Sequence, residues 1–103
     1  MENIQIIKLI NNEEIMAEVS ETETHYTITN PVRLAIMPGP DGKPNVGFAP
    51  FPTHSEQKVD TEITIAKKHV LYVYEPMQDY LNNYNQIFGS GIVLPPAKQL
   101  ITG

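Results

Sequence analysis

The run from Tyr26 to Ile36 constrains the fold more than any other stretch of the chain. Tyr26, Ile28, Val32, Leu34 and Ile36 share one parity, with Asn30 the single polar member, while Thr27, Thr29 and Arg33 point the other way. That period of two belongs to a half-buried β-strand. Pro31 sits in its middle and cannot donate to a ladder, so it marks a bend, a bulge or an edge. A long strand bent at its centre suits a small barrel, which must curve to close.

The flanking segments supply further strands. Ile4 to Ile10 is almost wholly apolar, with Gln5 and Lys8 interleaved, and reads as a strand covered on both faces or carrying a bulge. Asn11-Asn12-Glu13-Glu14 follows. Asparagine tolerates positive φ, so this is a hairpin turn. Ile15, Ala17 and Val19 alternate with Met16, Glu18 and Ser20 as an amphipathic strand. Pro38 to Pro44 is a turn-rich loop. Val46 and Phe48 form a short strand broken by Pro50 and Pro52, and 52–60 is polar loop apart from Val59. Glu62 to Tyr74 reads as two strands hinged at Ala66-Lys67-Lys68-His69, the densest positive charge in the chain.

After this comes a helix. Met77, Leu81, Tyr84 and Phe88 recur at three- and four-residue steps, flanked by Tyr80 and Ile87. Pro76 suits a first helical position and Gly89 a C-cap. The tail 89–103 carries Ile92, Val93, Leu94, Leu100 and Ile101. It is too apolar for a solvated tail and is expected to pack on its own barrel or a neighbour.

With 103 residues there is room for one core. We divide it as 1–75, a β-barrel, and 76–103, helix and tail, in one domain overall. The expected fold is mainly β: a small five-stranded, strongly bent antiparallel barrel with a C-terminal helix. There are no cysteines. That excludes disulfides and thiolate metal sites and fits a reducing compartment. No apolar run approaches the ~18 residues of a membrane span, and the start lacks the pattern of a secretory leader. The net charge of −5 rules out a basic footprint over the whole surface. Any nucleic-acid contact must be local.

The bent third strand and the basic turn between the last two strands resemble the Sm/LSm/Hfq family, over about Ile4 to Tyr74. Ile7 to Val19 is similar to the family's opening hairpin, although the usual glycine of the turn is Asn12 here. Lys68-His69-Val70-Leu71 is similar to the Lys-His-Ala-Ile of the bacterial Hfq branch, which lies at the ring pore. The overall pattern, with Asn83-Tyr84-Asn85-Gln86-Ile87-Phe88-Gly89, is also similar to short proteins of T4-like cyanophages. Two features depart from the family. Ala66-Lys67 replaces the archaeal and eukaryotic Arg-Gly, and the helix is C-terminal where Hfq has an N-terminal one.

The resemblance implies a homo-oligomeric ring, with the strand at Val46–Phe48 of one copy pairing with Val70–Tyr74 of the next. It implies single-stranded RNA at Lys67, Lys68 and His69, with Asn30 helping to hold a base. It also implies a cytoplasmic setting (of the host cell, if the chain is phage-encoded). The same residues have plainer readings: a solvated turn for Lys67–His69, support of the bend for Asn30, and core or interface for Tyr72 and Tyr74. The alternative function is a structural or protein-interaction module that keeps the fold without RNA. His25, His54 and His69 have no paired metal-ligand spacing, no phosphate loop or catalytic set is recognisable, and we expect no enzyme, metal or cofactor.

Overall fold

The computed structural model describes residues 3–56 and 60–88. Gly89 as a C-cap and the packing of the 89–103 tail lie outside the described residues.

β1 (Ile4–Leu9) and β2 (Glu14–Glu21) form the expected hairpin, with Ile7 opposite Ile15. Asn12 takes φ 76 in the turn, and Asn11 Oδ1 accepts the Glu13 N–H at 3.0 Å. This is the local asparagine chemistry that makes such a turn. β3 (His25–Pro38), β4 (Pro44–Pro50), β5 (Glu62–Ala66), a 3-10 turn (Lys67–His69), β6 (Val70–Tyr74) and α1 (Gln78–Phe88) complete the order.

The described residues are therefore mainly β, with one antiparallel sheet of six strands followed by a helix. The sheet runs β4-β3-β2-β1-β6, and β5 pairs with β3 as well. β4 takes the second half of β3, from Val32 to Pro38, and β5 the first half, from His25 to Thr29. The count exceeds the expected five because the chain leaves β3 after Pro50 and rejoins it at Glu62. The hydrogen-bonded path is also open. It ends at β6 on one side and at β4 and β5 on the other, so the described residues of one chain do not close a barrel.

The centre of β3 carries a β-bulge. Met16 faces Val32 and Glu18 faces Thr29, so Ala17 alone spans Asn30 and Pro31. Asn30 accommodates the extra residue at φ 54, in the left-handed region that asparagine enters more readily than most residues. One inserted residue turns every later side chain to the opposite face. This corrects the single apolar face expected for β3. Tyr26 and Ile28 join one core, whereas Val32 and Leu34 join the other.

Two cores result, one on each face of the sheet. Ile7, Leu9, Ile15, Ala17, Val19 and Ile28 form the first, packed by Ile63 and Ile65 of β5 and by Val70 and Val73 of β6. β5 and β6 lie at opposite ends of the pairing order, so the sheet is curled about this cluster. Ile4, Ile6, Met16, Val32 and Phe48 form the second, on the outer face. Burying a side chain of this size contributes about 1.5–3 kcal/mol. β1 feeds both cores with alternate residues, which accounts for its nearly continuous apolar run.

α1 covers the outer core with Tyr80, Leu81, Tyr84, Ile87 and Phe88, the stripe expected from the sequence. Tyr84 is 1% exposed, its ring 6.4 Å from Phe48 and 4.8 Å from Phe88. Met77 departs from the expectation. It precedes the helix, its carbonyl accepts the Leu81 N–H at 3.0 Å, and its side chain is 67% exposed. Pro76 likewise stands before the first helical residue.

Candidate nucleic-acid interface

β5 and β6 are consecutive in sequence and sit at opposite ends of the curled sheet. Only the 3-10 turn Lys67–His69 joins them. Backbone bonds fix it at both ends. Lys67 N–H donates to Thr24 O at 2.9 Å, in the β2–β3 turn, and His69 O accepts from Ile10 N–H at 3.0 Å, just past β1. The backbone is thus held while none of the three side chains is buried. A three-residue turn with three basic residues has no apolar member to bury, so it presents all of them.

The three side chains differ in their neighbours. Lys67 Nζ lies 2.7 Å from Glu21 Oε2 and 5.3 Å from the centre of the Tyr26 ring. The hydrogen bond from Lys67 to Glu21 raises the Lys67 pKa above its ordinary value. Lys68 and His69 are exposed, and among the described residues neither has an ion-pair partner. Glu23 stands in the adjacent turn and adds to the field on Lys67. The patch is therefore less positive than its sequence suggests, with Lys68 as its free cation.

Asn30 is not part of this cluster. It lies past the Glu62 end of β5, whereas the basic turn lies past the Ala66 end. The five residues of β5 separate them by about 16 Å at ~3.3 Å per residue. Asn30 is 6% exposed, its Oδ1 accepts the Asp60 N–H at 2.6 Å, and its N–H donates to Thr61 O at 2.8 Å. Its own carbonyl accepts the Tyr84 hydroxyl at 2.8 Å. Here the amide supports the bend, the plainer of the two sequence readings.

Sequence reasoning missed the residues that meet the basic turn from β2 and β3. Glu21, Thr24 and Tyr26 all touch Lys67, yet they lie about forty positions earlier. Thr24 Oγ1 lies 2.7 Å from His25 Nδ1, which places a second imidazole at the same end of the sheet. Only the β5–β3 register, His25 opposite Ala66, brings these together.

The two expected edge strands are both terminal in the sheet. β4 holds Val46 and Phe48, β6 holds Val70 to Tyr74, and among the described residues neither has a strand on its second side. Leu71 and Tyr72 on β6 are more than half exposed. The Tyr72 and Tyr74 rings lie 5.8 Å apart, on the strand rather than in the core.

A second feature lies on the outer face, where a groove of about 650 Å³ opens between the β3–β4 hairpin and the start of α1. Leu34, Ile36, Val46, Met77 and Tyr80 supply its apolar wall, and Glu13 and Glu14 stand at its rim. Tyr74 Oη donates to Glu14 Oε1 at 2.7 Å, Lys8 Nζ lies 3.4 Å from Glu14 Oε2, and Arg33 Nε lies 3.8 Å from Glu13 Oε2. Burial, and then the Glu14 carboxylate, raise the Tyr74 pKa. Among the described residues no group of acidic and histidine side chains is placed to hold a metal. No helix of the described residues is long and apolar enough to cross a membrane.

The chain matches no protein-family model, and none of the curated proteins searched matches it.

Proposed function

We propose that this protein is an Sm-like, homo-oligomeric ring that binds single-stranded RNA at a mouth lined by Lys67, Lys68 and His69. One observation carries the reading. The sheet ends in two strands, β4 and β6, that have backbone donors and acceptors to offer, and a fixed basic turn leads directly into one of them. An open edge is a template for pairing. Joining β4 of one copy to β6 of the next is a head-to-tail contact, which closes into a ring when the rotation allows. The bent barrel is then completed by the neighbour's strand. Each copy adds a Lys68 and a His69 to the mouth, and repetition offsets the subunit's net −5 locally. The exposed His69 ring offers a hydrogen-bond donor and a face on which a base can stack.

The second reading is an assembly or interaction module with the same ring and no RNA. The Lys67–Glu21 pair and the nearby Glu23 favour it, because they neutralise part of the basic patch. Two measurements decide. Light scattering gives the mass in solution, and a monomer removes both readings. Fluorescence anisotropy with uridine-rich and adenine-rich oligonucleotides at low and moderate salt separates them. If RNA is bound, the log–log salt dependence should become shallower by about one for each phosphate that loses its lysine. Lys68→Ala should weaken binding on every sequence. Absence of binding at low salt leaves the interaction module.

A further inference from the structure

We propose that Glu21 is a built-in competitor for the basic turn: its carboxylate occupies Lys67 in the free protein, and a phosphate of the bound strand displaces it. The proposal rests on the RNA reading above and adds a regulator to the same site. The residues responsible stand in register across three strands. Glu21 of β2 faces Tyr26 of β3, and Tyr26 in turn faces Ile65 of β5. Lys67 lies two residues beyond Ile65, and its side chain reaches back towards this row. Its Nζ lies 5.3 Å from the centre of the Tyr26 ring and 2.7 Å from Glu21 Oε2. A carboxylate at that distance holds the lysine as a phosphate oxygen would, through a charge-assisted hydrogen bond.

Both members of the pair are open to solvent. The Lys67 side chain is 33% exposed and that of Glu21 60%. An exposed pair of this kind is weak, so a phosphate can take the carboxylate's place. Lys68 carries no such partner among the described residues. The two lysines of one turn therefore differ in kind. Lys68 is free to meet a phosphate at once, whereas Lys67 does so only by giving up Glu21. In a ring the same exchange is repeated in every copy that the strand touches, so a small cost per subunit multiplies into control of the overall affinity.

Fluorescence anisotropy with a uridine-rich oligonucleotide at low salt tests this through a double-mutant cycle. Glu21→Gln nearly keeps the side chain's shape and removes its charge. It should tighten binding about threefold, and the gain should vanish in the Lys67→Ala background. Glu23→Gln controls for overall charge, because Glu23 adds to the field on Lys67 without pairing with it; its gain should be smaller. Equal gains from the two substitutions, a Glu21→Gln gain that persists without Lys67, or weaker binding by Glu21→Gln overturns the competitor and leaves the RNA reading standing. Failure of the wild type and of every variant to bind removes both. Glu21→Gln should also leave the mass in light scattering and the urea midpoint unchanged. A shift in either would make Glu21 a structural residue and overturn the proposal.

Discussion

The two ends of β5 carry polar residues of opposite fate. At one end Asn30, Asp60, Thr61 and Tyr84 are joined by short hydrogen bonds around a bulge, and Asn30 and Tyr84 are buried. At the other end Lys67, Lys68 and His69 stand on a backbone held at both sides, and none of their side chains is buried. The first corner uses its polar groups to build the sheet. The second is fixed through its backbone, which leaves Lys68 and His69 available. Location on a bend is common to both; engagement of the side chain separates them.

Substitutions should divide along the same line. The largest effect belongs to Tyr84. Tyr84→Ala opens a cavity between sheet and helix and should cost about 3–5 kcal/mol in urea unfolding. Tyr84→Phe removes only the hydroxyl bonds to Thr29 O and Asn30 O and should cost about 1–2 kcal/mol.

Asn30→Ala comes next. It loses the bond to Asp60 and places a Cβ residue with no compensating polar group at φ 54, for about 2–3 kcal/mol. Asn30→Gly relieves the backbone and should recover part of that loss. If Ala and Gly unfold at the same denaturant concentration, the left-handed backbone is not what selects asparagine there.

Alkaline titration gives a third comparison. Burial, with Glu18 adding to it, raises the Tyr84 pKa above 10.0 in the folded protein. Between the unfolded and folded values the unfolded chain loses this proton while the native chain keeps it. The contribution is therefore complete below about pH 10 and declines as pH rises further, by up to about 1.4 kcal/mol per pH unit. Tyr84→Phe should have a shallower loss of stability above about pH 10, and parallel curves would break the assignment.

The smallest effect is expected at the basic turn. Lys68→Ala should leave the unfolding free energy within about 0.5 kcal/mol of wild type while weakening the RNA binding proposed above. A large stability change at Lys68 would erase the contrast between the corners.

Much of the fold is legible in residue order. The Asn11-Asn12 turn, the inward set Ile15, Ala17 and Val19 of β2, the length of β3 and the helix stripe all follow from local chemistry and appear where expected, whereas Met16, expected on the polar face of β2, is buried in the outer core. Pro31 signals an irregularity in β3. It does not signal the side to which Val32 and Leu34 turn, because that depends on how many β2 residues oppose Asn30 and Pro31. Met77 fits the helical period but precedes the first turn, so its side chain never reaches the core. The interface is legible in its charges and not in their partners. Lys67 meets Glu21 only through the strand order, and no local pattern encodes that pairing. Asn30 suits a base contact by residue type, yet the buried bulge gives it structural partners instead.

The bulge in β3 has a consequence for how the molecule comes apart. The first half of the strand supplies one core and the second half supplies the other, and a single inserted residue is the crossover. Loosening it would misdirect side chains on both faces at once. Neither core can then melt ahead of its companion, and thermal or chemical denaturation should pass through one cooperative step.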